Sequence, residues 1–252
     1  TLSIFLAMFS CISLLNMFGI SNLSTEKTYF DRFKNNWDFL VTTEADSYSK
    51  ALLNDIRNIE GVENCIVHKR VSSNTQIPRE YLSNEVQKLG LENLNSSFVI
   101  SDTGSYNVKI PIYILDDNSF EKYRGEKTDV NVIAVNIIWD SIHSERTNRQ
   151  YVPFLNADKE ILLDLEGTTI PIKGFVDELP VLREALEQYA LSLVVSENYY
   201  TSLGYNLDAA EAFYTIKAED KNQYDRIKEE IQQLLLAYPD YVFEGRIEEY
   251  EN

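Results

Sequence analysis

The chain has 252 residues, with 23 Lys+Arg against 40 Asp+Glu, a formal net charge of −17 and a pI of about 4.5. So acidic a surface repels the phosphates of nucleic acid and of anionic lipid, and excludes nucleic acid as a partner. Two cysteines, Cys11 and Cys65, and two histidines, His68 and His143, provide neither a disulfide framework nor zinc-ligand spacing.

Residues 1–20, TLSIFLAMFSCISLLNMFGI, carry no charge, and the first charged residue is Glu26. Twenty residues of helix reach about 30 Å, the hydrocarbon thickness of a bilayer. The stretch is therefore read as a membrane helix over 1–24, contacting lipid through residues 1–20. A signal peptide would show a basic start and a small-residue cleavage site, which are absent. A lipid-modified Cys11 is disfavoured by the bulky Phe9, and a buried core helix would be striped with polar residues. A chain that begins at Thr1 reads as part of a longer protein. Residues 21–34, with Tyr29, Phe30 and Phe33, suit an interfacial belt or stalk. Asn22-Leu23-Ser24 and Asn95-Ser96-Ser97 match the glycosylation pattern, a motif short enough to arise by chance.

A β–α–β unit follows. Trp37–Thr43 has strand composition. Asp46 or Ser47 is placed to cap a helix with Leu52, Ile56 and Ile59 at helical spacing, closed near Gly61. Glu63–Val71 is the second strand. The C-terminal end repeats the order: strand Ala212–Lys217, helix Lys221–Ala237 with Tyr224, Ile227, Ile231 and Leu234 on one face, and strand Asp240–Ile247 after Pro239. Val41 to Val67 and Ile216 to Val242 span the same distance along the chain, as an internal repeat does. The two units are expected to form one four-stranded sheet with both helices on one face, a split β-α-β.

Between the repeats lies an insert, 72–206. A helix is expected from Pro78 to Gly90, then strands at Ser97–Ser101, Tyr106–Leu115 and Asn131–Trp139, with Asp116-Asp117-Asn118-Ser119 capping a short helix that ends near Gly125. Glu160–Leu165 and Thr168–Val176 flank Glu166-Gly167 as a hairpin. Leu191–Ser196 is a strand, and Ser196 caps the helix Glu197–Leu203. The fold class is α+β: a membrane helix, then a ferredoxin-like βαβ-repeat lobe (25–71 and 207–252) carrying an inserted mixed, mostly β lobe (72–206).

Few residues offer chemistry. Asp116, Asp117, Asn118 and Glu121 have the oxygens a hard cation needs, but an N-cap with an acidic first turn accounts for them better. His143 beside Asp140, Ser141 and Glu145 has triad residue types, without a nucleophile elbow. His68, next to Lys69 and Arg70, is read as a polar-face residue of an edge-like strand. Among the 16 tyrosines, Tyr199, Tyr200, Tyr205 and Tyr214 fit half-buried positions or a binding surface. No catalytic, cofactor-binding or metal residue is assigned, no cofactor is expected, and the chain is not read as an enzyme.

The order of parts resembles FtsX-like (MacB-type) ABC transporter permeases. The resemblance rests on the apolar span, then a strand and LLNDIRNIEGVENCIVHKR, then IYILDDNSFEKY, then ILLDLEGTTIPIKGFVDELP with Asp177 and Pro180, then LSLVVSENYYTSL and the closing βαβ. It covers nearly the whole chain in order, through loose motifs. It implies the first span and extracytoplasmic domain of a permease in the cell membrane, with a further span after Asn252. It also implies a cytoplasmic ATP-binding subunit, a second permease subunit or half, and an external peptide, lipoprotein or protein partner. ATP hydrolysis would lie on the separate subunit, and this domain would couple it to export or to mechanical action outside. The alternative is a single-span surface receptor or binding module.

Overall fold

The computed structural model describes residues 37–44, 48–95, 98–125, 129–144, 150–177, 190–207 and 210–245. The expected span and stalk, the first glycosylation motif, Asp46, Ser47, Glu145 and Pro180 lie outside these residues. Among the described residues no helix is long and apolar enough to cross a membrane.

The chain builds β1 (Phe39–Glu44), α1 (Lys50–Arg57) and β2 (Val62–Pro78), then a 3-10 turn, α2 (Asn84–Leu89), α3 (Leu91–Leu94) and β3 (Ser105–Leu115). It continues through α4 (Asp117–Arg124), β4 (Val132–Trp139), β5 (Tyr151–Val152), β6 (Ile161–Leu165), β7 (Thr168–Ile172) and β8 (Gly174–Val176). The last elements are β9 (Ala190–Ser196), α5 (Glu197–Ser202), β10 (Glu211–Ala218), α6 (Tyr224–Leu235) and β11 (Val242–Gly245).

Among the described residues one sheet of nine strands runs β11-β1-β10-β2-β3-β9-β4-β5, with β8 beside β4. Its pairs are antiparallel except β3–β9 and β4–β8. At one end the two βαβ units interleave: β10 lies between β1 and β2, and β1 lies between β10 and β11. This is the split β-α-β order expected from the repeat. Phe39, Val41, Cys65, Val67, Tyr214 and Ile216 point to one face, where Leu52, Leu53 and Ile56 of α1 and Ile227 and Ile231 of α6 cover them. Each such apolar side chain contributes about 2 kcal/mol by leaving water.

The four strands do not form a sheet of their own. β2 runs past Val71 to Pro78 and pairs with β3 along that extension, so the sheet continues into the inserted sequence. A separate apolar cluster forms there from β3, β9 and β4 with the β6–β7 hairpin, α2, α3 and Tyr200 of α5. The hairpin turn takes Glu166 at φ 52° and Gly167 at φ 93°, the two left-handed residues a tight two-residue turn needs.

Several local expectations are corrected. Ser49, not Asp46 or Ser47, caps α1, accepting the Leu52 amide at 3.2 Å. The helix from Pro78 is a 3-10 turn and then α2, because Ser83 caps afresh at the Val86 amide. Ser97–Ser101 is not a strand: among its described residues only Ile100 makes a single bridge, to Tyr106. Thr168–Val176 breaks at Lys173, and β8 leaves the hairpin to pair with β4.

Candidate functional site

β3 ends at Leu115, opposite His68, and turns into α4. Asp116 makes that turn: one carboxylate oxygen accepts the Ser119 amide at 3.1 Å and the other accepts the Ser119 hydroxyl at 2.6 Å. β2 extends back beyond His68 to Val62, paired there with β10. Among the described residues no strand pairs its other side from Val62 to Val67. An antiparallel strand exposes its main-chain donors and acceptors along such an edge.

A cavity of about 740 Å³ occupies this place. Its floor is the edge of β2 from Val62 to Ile66, and Arg57 of α1 and Ser119, Lys122 and Tyr123 of α4 flank it. Arg57 also lines a neighbouring cavity of about 360 Å³, with Tyr48, Lys50, Asn54 and Asp116 to Asn118. Arg57 Nε donates to the Cys65 carbonyl at 3.0 Å, which shows that the Cys65 main chain faces the cleft. The Cys65 side chain points the other way, into the core; burial pushes its thiol up to about 12, so it is not a nucleophile. Among the described residues neither Arg57 nor Lys122 has an ion-pair partner. Beyond Tyr48, Lys69 is buried, sits 5.3 Å from the Tyr48 ring centroid and pairs with Glu197 at 3.1 Å. Burial raises the Tyr48 phenol, and the charges of Asp116 and Glu197 add to the rise.

Of the residues singled out in the sequence, Asp116 is engaged locally by Ser119, and Asp117 reaches across to α5 to accept the Asn198 amide at 3.3 Å. Among the described residues no His/Cys/Asp/Glu group has metal-holding geometry. His143 Nδ1 does meet Asp140 at 2.8 Å, but the Ser141 hydroxyl turns away and donates to the Leu94 carbonyl at 2.8 Å. The reading of His68 as a polar-face residue is corrected. It is wholly buried, stacked on Phe213 at 5.1 Å and tilted against Tyr113 at 5.6 Å, because β2 is an interior strand there. Tyr214 is buried in the βαβ core, where its hydroxyl accepts the Ser49 amide at 3.0 Å. Tyr200 and Tyr205 stack at 5.1 Å in the inserted part, and Tyr205 bonds to the Leu165 carbonyl. Sequence reading gave Arg57 and Lys122 no role, although both lie within phrases that carry the resemblance, because nothing local sets either apart from an ordinary helix-surface cation. Their signal is three-dimensional: two cations with no ion-pair partner among the described residues line one cleft of an acidic chain.

No family model matches the chain, and no curated protein matches it. Solved structures do. The chain is similar to extracytoplasmic domains of ABC-type transporters. One is the extracellular domain of the noncanonic ABC-type transporter YknZ from Gram-positive bacteria, at 12% identity and a TM-score of 0.39, covering 82% of this chain and 99% of that one. Another is the periplasmic region of MacB from Actinobacillus actinomycetemcomitans, at 10% identity and a TM-score of 0.39, covering 85% of this chain and 91% of that one. At these values the superposition transfers no residue role, partner or substrate.

Proposed function

We propose that the chain is the extracytoplasmic domain of an FtsX-like (MacB-type) ABC transporter permease, joined to the cell membrane through residues 1–20. The observation that carries this reading is the pairing of β1 with β11, which sets Phe39 against Gly245. β1, the strand that follows the apolar stretch, is thus hydrogen-bonded to β11, the last described strand. On this reading the domain would hang from the membrane through these two neighbouring strands. The split β-α-β order and the collinear motifs support the same reading.

The domain transmits and grips; the chemistry of ATP belongs to a separate cytoplasmic subunit. Movement of the membrane connections enters the sheet at β1 and β11, passes through β10 into β2, and reaches the inserted part through β2 and β3. A coupling of this kind needs two packings of similar energy, set by the relation between two permease copies or halves.

The test is to read the frame on both sides of this segment and express the full-length protein with the ATPase encoded beside it. Co-purification from membranes, with ATP hydrolysis that depends on both proteins, supports the proposal. A single-span protein with no ATPase in stable association overturns it in favour of a surface binding module.

A further inference from the structure

The cleft at the start of β2 has the makings of a strand-binding groove. Three observations converge on it. The edge of β2 from Val62 to Val67 has no strand beside it among the described residues, because β3 turns into α4 at Asp116. The groove between that edge and α4 is about 740 Å³, room for several residues of extended chain. Its flanks hold Arg57 and Lys122, both without ion-pair partners among the described residues, in a chain of net charge −17. A strand edge supplies affinity through main-chain hydrogen bonds, while side-chain contacts supply selectivity.

The geometry points to a peptide-docking site in which an extended, acidic segment of a partner protein adds as a strand to the β2 edge at Cys65, its carboxylates meeting Arg57 and Lys122. The charges choose the occupant. Glu63 also lines the groove, at the far end of the β2 edge, and the register shift between Lys217 and Ala218 places Glu63 opposite no β10 residue. A bulge of this kind bends the strand, so the straight part of the free edge runs from Asn64 to Val67, where β3 takes over at His68. The Arg57 bond occupies the Cys65 carbonyl, the acceptor at the middle of this edge. Docking exchanges this bond for one from the incoming main chain and frees the guanidinium for a carboxylate, which Arg receives in a two-pronged geometry. The inference does not depend on the permease reading, since the groove belongs to the folded domain whatever membrane protein carries it.

The experiment uses the full chain in lipid nanodiscs and three capped, fluorescent heptapeptides of alternating pattern: VEVTVEV, VQVTVQV and VKVTVKV. The acidic peptide is expected to bind at least ten-fold more tightly than the neutral one, and the basic peptide not at all. N-methylation of alternate peptide amides is expected to abolish binding, and bound peptide to slow hydrogen exchange across residues 62–67. Arg57→Gln alters the local bond to Cys65 as well, so Lys122→Gln, exposed on α4, is the cleaner variant. Each is expected to weaken the acidic peptide ten-fold or more and to leave the neutral peptide unchanged. Equal affinity for the three peptides, or full binding by the N-methylated peptide, overturns the proposal. So does binding of free glutarate as tight as that of the peptide, with no protection at 62–67, since the groove is then a small-anion site.

Discussion

Asp38, immediately before β1, meets Lys217 Nζ of β10 at 3.1 Å, with the aspartate side chain buried and the lysine about a quarter exposed (1% and 27%). The same carboxylate accepts the Ala218 amide at 2.9 Å and the Tyr224 hydroxyl at the start of α6. One buried side chain thus ties the entry of the first βαβ unit to the strand and helix of the second. Removing one partner of a buried pair leaves the other's polar group uncompensated, a loss of about 3 kcal/mol. Asp38→Ala is expected to lower the unfolding free energy by about that much, read as a lower urea midpoint, and Lys217→Met to cost less because the Asp38 carboxylate keeps its bonds from the Ala218 amide and the Tyr224 hydroxyl. An unchanged midpoint for Asp38→Ala would refute the role given to this node.

Acid stability has a local contributor at Asp140. Burial works to raise this carboxyl, but hydrogen bonds from the His143 ring and from the His143 and Ile142 amides outweigh it and hold it below the usual carboxylate range. A carboxyl depressed in the folded state stabilises fully above its unfolded pKa, and that stability is lost as the pH falls through the folded value. Asp140→Asn is therefore expected to destabilise the protein at neutral pH and to flatten its stability profile below about pH 4. Urea midpoints for both proteins from pH 7 to pH 3 check this, and parallel profiles would contradict it.

The repeat was the most legible part of the sequence. Leu52 and Ile56, and Ile227 and Ile231, recur at helical spacing, and Phe39, Val41, Cys65 and Val67 alternate as strands do, so local pattern and tertiary packing agree. The cap of α1 was placed too early because Asp46, Ser47 and Ser49 are all good caps, and local chemistry does not separate them. His68 was misread for a physical reason. Its neighbours Lys69 and Arg70 are charged, yet the Phe213 and Tyr113 rings that bury it arrive from distant strands. The cleft was illegible because it exists only where β3 departs from β2, and Arg57 and Lys122 meet there from separate helices.

The turn between α1 and β2 needs a glycine. Gly61 has φ of 81°, and a Cβ built there lies 1.8 Å from Gln223 Oε1, which accepts Arg226 Nη2 at 2.8 Å. An alanine carries the left-handed strain and also displaces a side chain that joins α6 to this turn. Gly61→Ala is expected to cost about 1.5 kcal/mol. A calorimetric melting temperature equal to that of the parent would rule this out.

β1 and β11 are expected to act as one body. Thr42 stands opposite Val242 in their register, a spacing that a disulfide spans when introduced between directly paired strand residues. The double variant Thr42→Cys, Val242→Cys is expected to crosslink on oxidation and to leave ATP-dependent activity of the full complex unchanged. Loss of activity on oxidation, restored by reduction, would show that the two strands must separate.

The most direct test of the proposed coupling is a distance measurement between two copies in the assembled complex. A spin label at Asp102→Cys, on an exposed turn of the inserted part, reports the separation between copies. A label pair at the Thr42 and Val242 positions, introduced without oxidation, reports the lobe within one copy. The copy-to-copy distance is expected to shift between the nucleotide-free and vanadate-trapped states, while the distance within the lobe stays fixed. An unchanged copy-to-copy distance in a complex that hydrolyses ATP would contradict the role of this domain as a transmitter.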